Sequence, residues 1–276
     1  MSRSNLMRRL GLLVTTLFWL TPLHAYDPNN RAEYLAKLKE AKAYYKDKCE
    51  KVAGIKIYKT VKDVDGVLLL KVRPKRTDRE LADPNWPGAA FGREASGDGY
   101  ITSFLGFEKR SKGSKVRGYI TTDLPESKDA GSHREYFPGY RWVEVIDSMD
   151  GQRYRYSARY DEPWRTDSSY SKSYTRFSLD KEPAPKTQPR YGVSFEDHVI
   201  PEERALWVAS STVKVVDLKY DEVLGEMTRY AISYIHSPKS SMPWLNHYTC
   251  PEMNVTGDLD FTRKFVDQVL VPTREK

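Results

Sequence analysis

The stretch Leu206–Leu218 (LWVASSTVKVVDL) is followed, after Lys219-Tyr220-Asp221-Glu222, by Val223–Ile235 (VLGEMTRYAISYI). Both runs are rich in β-branched and aromatic residues, lack proline, and are joined by a short polar turn. They predict one long antiparallel hairpin. Alternation puts Trp207, Val213 and Val215 on one face of the first strand, with Thr212 and Lys214 on the other. In the second strand Leu224, Tyr230, Ile232 and Tyr234 share a face. Pro238 and Pro243 close the sheet region.

Upstream, Tyr140–Asp147 and Gln152–Tyr160 predict a second hairpin around Met149-Asp150-Gly151. Here Tyr154, Tyr156, Ala158 and Tyr160 fall on one face, and Arg153, Arg155 and Arg159 on the other. The simplest reading of that pattern is a half-buried strand with tyrosines inward and arginines in water. The functional reading is a basic stripe for an anionic envelope polymer or an acidic partner, since arginine also stacks on aromatic rings. Ile55–Thr60 and Val67–Arg73 flank the turn pair Asp65-Gly66 and predict a further hairpin. Residues 74–99 read as irregular, with strands expected at Tyr100–Glu108 and Val116–Thr122. Between those two strands lies a loop carrying Lys109, Arg110, Lys112 and Lys115, either a solvated tip or an anion contact. Residues 161–189 are rich in Ser, Thr, Pro and Lys, so any division into two packed halves falls there.

Residues 31–53 read as a surface helix, with Tyr34, Leu38, Ala41 and Tyr45 on one stripe and lysines on the rest. A last helix is expected around Asp258–Leu270, burying Phe261, Phe265, Val266 and Val269. Beyond residue 25 there are two cysteines, Cys49 and Cys250. An even pair in an oxidising compartment predicts one disulfide. It would place the N-terminal helix beside the segment just before the C-terminal helix, holding the two helices close. The rival for Cys250 is a metal site with His247 and His236, for which no carboxylate completes a ligand set, so no metal is expected. The resulting fold class is α+β: mainly an antiparallel sheet of hairpins, with a helix at each end, clipped by one disulfide.

The first 25 residues set the expected compartment. Arg3, Arg8 and Arg9 precede an apolar run from Leu10 to Leu20, and Thr21-Pro22-Leu23-His24-Ala25 leads to an expected cut before Tyr26. The run is shorter than the roughly 20 residues that span a bilayer. Arg8-Arg9 loosely resembles a twin-arginine signal, although the apolar run suits the general secretory route. The domain expected to remain, 26–276, is periplasmic or secreted, with no transmembrane segment. Losing three arginines lowers the formal net charge from +7 to about +4, too little for a nucleic-acid binder without a concentrated basic face. Nineteen tyrosines, six tryptophans and nine phenylalanines argue for packed β-structure over disorder.

No serine-hydrolase elbow, zinc-protease helix motif, phosphate loop or C-x-x-C occurs, and no cofactor is implied. His198, in Phe195-Glu196-Asp197-His198, is the most suggestive histidine. Asp161/Glu162 and Glu202/Glu203 are the acid pairs that could serve glycoside cleavage. Asn254-Val255-Thr256 matches a glycosylation acceptor. The expectation is a non-enzymatic exported protein that binds an envelope polymer or another exported protein. Contact is expected through Arg153, Arg155, Arg159 and the 109–115 loop. The alternatives are a hydrolase built on His198 and distant acids, or an accessory or immunity factor neutralising a partner.

Overall fold

The computed structural model describes residues 31–105, 139–172, 176–233, 242–245, 247–251 and 260–273; for 159–161, 176 and 177 it describes the backbone alone. The export signal, the 109–115 loop, the strand expected at 116–122, His133, His236 and Asn254 lie outside these residues.

The N-terminal half contains α1 (Arg31–Lys51), β1 (Gly54–Ile57), β2 (Val61–Val64), β3 (Gly66–Leu69), α2 (Asp78–Ala82) and α3 (Asp98–Phe104). There follow β4 (Trp142–Ile146), β5 (Arg153–Asp161), β6 (Arg176–Pro183), β7 (Tyr191–His198) and α4 (Pro201–Ala205). The chain continues through β8 (Val208–Asp217), β9 (Glu222–Ser233), β10 (His247–Cys250), α5 (Phe261–Val269) and β11 (Leu270–Pro272). Among the described residues, nine strands make one sheet in the order β1-β9-β8-β7-β3-β4-β5-β6, with β10 also on β9; β2 and β11 pair separately. The fold is therefore mixed α+β, with a mostly antiparallel sheet and helices near both ends of the chain.

The long hairpin forms as the sequence predicts, β8 against β9 with Val213 opposite Met227. One detail differs. A bulge between Val215 and Val216 shifts the register, so Leu224 joins the main core while Tyr230 and Ile232 face the other way. Trp207 lies just before β8 in a left-handed conformation, outside the alternation.

Two other expectations are corrected. Asp65-Gly66 does not close a hairpin: β1 pairs with β9, and β3 runs parallel to both β4 and β7 in the middle of the sheet. All four β3 residues are buried, which is how a strand covered on both faces reads in sequence, as a continuous apolar run. Residues 100–104 are helical, not extended. Tyr100, Ile101 and Phe104 are buried together, a one-and-four spacing that suits a helix face.

One face of the sheet carries the main core. Val67, Leu69, Val143, Val145, Val193, Phe195, Val213, Val215 and Met227 pack there, under Tyr100 and Phe104 of α3 and Phe261, Phe265, Val266 and Val269 of α5. Trp244 is fully buried in this layer and donates its indole N–H to the Asp83 carbonyl at 2.9 Å. Alternation sends Val208, Tyr230 and Ile232 to the opposite face, where α1 covers them with Ala41, Tyr44 and Tyr45. Cys49 and Cys250 form the expected disulfide, joining α1 to β10. The two terminal helices are nevertheless not neighbours: the bridge reaches β10, and α1 and α5 lie on opposite faces.

Candidate functional site

On the face of β4 and β5 turned away from the main core, Glu144 stands opposite Arg155, and Ile146 opposite Arg153. The Glu144 side chain is 0% exposed. Arg155 grips Glu144 Oε1 through Nε (3.0 Å) and Nη2 (2.8 Å), while Arg153 Nε lies 2.8 Å from Oε2. Arg153 also donates Nη2 to the carbonyls of Pro185, Lys186 and Thr187, tying down the connection between β6 and β7. The Arg155 guanidinium lies 4.1 Å from the centroid of the half-buried Trp142 ring. That ring rests on Gly66, where a Cβ would come within 2.2 Å of it. Two cations on one carboxylate leave a net charge of about +1, with the planar guanidinium groups held in place.

Arg153 and Arg155 are therefore not a free basic stripe. They are 21% and 24% exposed, and much of their charge is spent on Glu144. The Arg159 side chain and Lys109, Arg110, Lys112 and Lys115 lie outside the described residues. Tyr154 and Tyr156 project to the other face of β5, where Lys181 sits 3.9 Å from the Tyr154 centroid and pairs with Asp147 at 2.8 Å. The Asp147 carboxyl is held below its ordinary value, chiefly by this hydrogen bond from Lys181.

His198 and its neighbouring acid diverge. His198 Nε2 meets Thr212 Oγ1 at 3.2 Å, and Thr212 meets Thr228 Oγ1 at 3.2 Å. Asp197 points to the opposite face, where it accepts from Ser211 Oγ (2.6 Å) and Arg73 Nη1 (3.1 Å). Of the two acid pairs, Glu162 is engaged by Arg165. Glu203 is buried under α1, accepting from Ser210 Oγ at 2.8 Å and Tyr44 Oη at 3.3 Å. Glu202 lines a groove of about 580 Å³ between α1 and α4, with Glu33, Glu40, Lys37 and Leu206.

A second charged cluster, which the sequence pattern does not single out, is sunk in the main core. Arg73 lies between the Phe91 and Phe195 rings, about 4 Å from each centroid, and pairs with Asp197. Arg229 stacks 3.5 Å from the Phe261 centroid and donates to Thr249 Oγ1 at 2.9 Å. Glu94 is 1% exposed and accepts the Thr262 backbone N–H at 3.2 Å, in the first turn of α5. The residue before α5, Asp260, makes no side-chain cap, so Glu94 serves as a cap donated from another segment. Burial pushes the Glu94 carboxyl up to about 7, against the pull of Arg73, Arg229 and the Thr262 amide. Only the odd-numbered parity of Arg229 beside Met227 and Ala231 hints at this cluster in sequence; Glu94 sits in an irregular stretch with no periodicity to read.

Among the described residues no three His, Cys, Asp or Glu side chains gather as a metal-ligand set, and no helix is long and apolar enough to cross a membrane. The chain matches no family model, no curated protein and no solved structure.

Proposed function

We propose that this chain is an exported, non-enzymatic binding protein of the periplasm or extracellular space, and that it recognises an anionic envelope polymer. The observation that carries this reading is the pair Arg153 and Arg155, clamped on buried Glu144 beside the half-buried Trp142 ring. A fixed guanidinium next to an aromatic plane suits a ring-shaped, negatively charged ligand. The ring edge offers apolar contact, and the guanidinium N–H groups left over by Glu144 and the 185–187 carbonyls donate to a carboxylate or phosphate. Both cysteines being paired is in keeping with an oxidising compartment. His198 Nε2 rests on Thr212 Oγ1 and not on an acid, which takes support from the alternative of a hydrolase built on His198 and distant acids.

The test is retention of the tagged protein on purified wall and outer-membrane glycans, run beside a crosslinking pull-down from intact envelope. The variant is Arg153→Lys with Arg155→Lys, which keeps both charges near Glu144 but removes the planar forks. Retention is expected to fall at least tenfold while the melting temperature moves by only a few degrees. Undiminished retention removes this face as the site. Recovery of one exported protein in near-equal amount, with no glycan retention, replaces the polymer with a protein partner.

A further inference from the structure

We infer that α1 is a disulfide-clamped latch, which undocks as a unit when Cys49–Cys250 is reduced and uncovers the face of β8 and β9 beneath it while the rest of the sheet stays folded. Three observations carry this. First, α1 is outside the main core. Of its 21 residues only Ala41 is buried, and it packs on the small cluster of Val208, Tyr230 and Ile232, whereas α3 and α5 cover the large one. Second, what lies under α1 includes a carboxylate that gains water when the helix leaves. Glu203 is 1% exposed, and Tyr44, one of its hydroxyl partners, belongs to α1 itself. Removing α1 exposes only the small cluster of Val208, Tyr230 and Ile232, not the main core, and returns water to that carboxylate. Third, α1 has the composition of a helix able to persist outside a tertiary contact. It is rich in Ala, Lys, Glu and Leu, with no internal Gly or Pro and with Lys46–Glu50 and Lys51–Asp47 pairs at four-residue spacing.

The covalent tie sits in the last two turns of α1, so its N-terminal half is held by side-chain contact alone. Tyr34 packs against Trp207 with ring centroids 5.6 Å apart, tilted by 35°, and Lys37 lies 5.3 Å from the same Trp207 ring. Trp207 is thus a built-in reporter of docking. The reductant is a dithiol. Its thiolate attacks one cysteine sulfur, the Cys49–Cys250 bond breaks, the second thiolate resolves the mixed disulfide, and the chain is left with two protonated thiols while the dithiol is oxidised to its own disulfide. After release β1 is still paired with β9, so the chain remains anchored directly after the helix.

The experiment is amide hydrogen exchange read by mass spectrometry on the full protein, oxidised, reduced with dithiothreitol, and reoxidised. Tryptophan emission is recorded in parallel for wild type and Trp207→Phe. On reduction, α1 amides are expected to exchange at least tenfold faster, those of β3, β7 and β8 to keep their protection, and the Trp207 part of the emission to change. Reoxidation is expected to restore all three. Unchanged α1 protection after verified reduction overturns the latch. So does loss of protection in β3, β7 and β8 together with α1, which would make the helix an integral part of one cooperative unit. The reduced wild type gives this readout even if Cys49→Ser with Cys250→Ser fails to accumulate.

Discussion

Glu144 sits at a position where alternation along β4 would put a solvent-facing side chain, yet it is 0% exposed, because two arginines from the neighbouring strand close over it. A buried carboxylate of this kind is tolerated only while its partners stay, and breaking such a pair typically costs about 3–5 kcal/mol. Replacing Arg155 with Glu would set a second carboxylate against it and remove the stack on Trp142. The expected loss is in that range, read as a lowered urea midpoint with unchanged slope. Arg155→Lys keeps the charge but loses the two-pronged grip, and about 1–2 kcal/mol is expected. A loss below 1 kcal/mol for the Glu variant would mean that Glu144 relaxes to solvent and that the clamp is not fixed. Charge reversal here is accordingly a stability experiment, and binding has to be probed with lysines.

At the level of elements, α5 and β9 approach closely because Gly225 has no side chain. A Cβ there would lie 2.8 Å from Val269 Cγ2 and 3.2 Å from the Lys56 carbonyl oxygen of β1. Gly225→Ala must therefore push α5 outward or strain the pairing of β1 with β9. A destabilisation of about 1–3 kcal/mol is expected in urea unfolding, the range for overpacking a tight core. No measurable change would mean that α5 is loosely seated. The same elements show what the sequence could convey. The pairs β8–β9 and β4–β5 were legible because each alternates over a long run and ends at a turn. The face of α5 was legible because Phe261, Phe265, Val266 and Val269 recur at helical spacing. Non-local partners were not. Nothing in Val67-Leu68-Leu69 says that its neighbours are Val143 and Val193, which lie 76 and 124 residues along the chain from Val67 and Leu69 respectively. The arginine face was legible as a pattern, but its meaning was not: alternation assigns residues to a face, and only the register across the β4–β5 turn sets Glu144 opposite Arg155.

For the molecule as a whole, the buried carboxyls and the surface ones pull stability in opposite directions with pH. Burial raises the Glu94 carboxyl to about 7, and burial also raises Asp267 above its ordinary value. The folded protein thus holds more protons than the unfolded chain between about pH 4.5 and pH 7, so stability falls as pH rises through that window. Hydrogen bonds hold Glu80, Asp147 and Asp167 below their ordinary values, and the stability they lend is lost as pH falls below about 4. The two trends place the maximum near pH 5, not at neutrality. Between pH 5 and pH 8 the Glu94 contribution amounts to roughly 1–3 kcal/mol. Because Glu94 also caps α5 through the Thr262 amide, Glu94→Gln keeps an acceptor oxygen there while abolishing the titration. Urea midpoints at pH 5, 6, 7 and 8 are expected to decline for the wild type and to stay nearly level for this variant, apart from the smaller slope left by Asp267. A wild-type midpoint that rises from pH 5 to pH 8 would instead mean that Arg73 and Arg229 outweigh burial, keeping Glu94 ionised throughout and making the core cluster a set of permanent ion pairs.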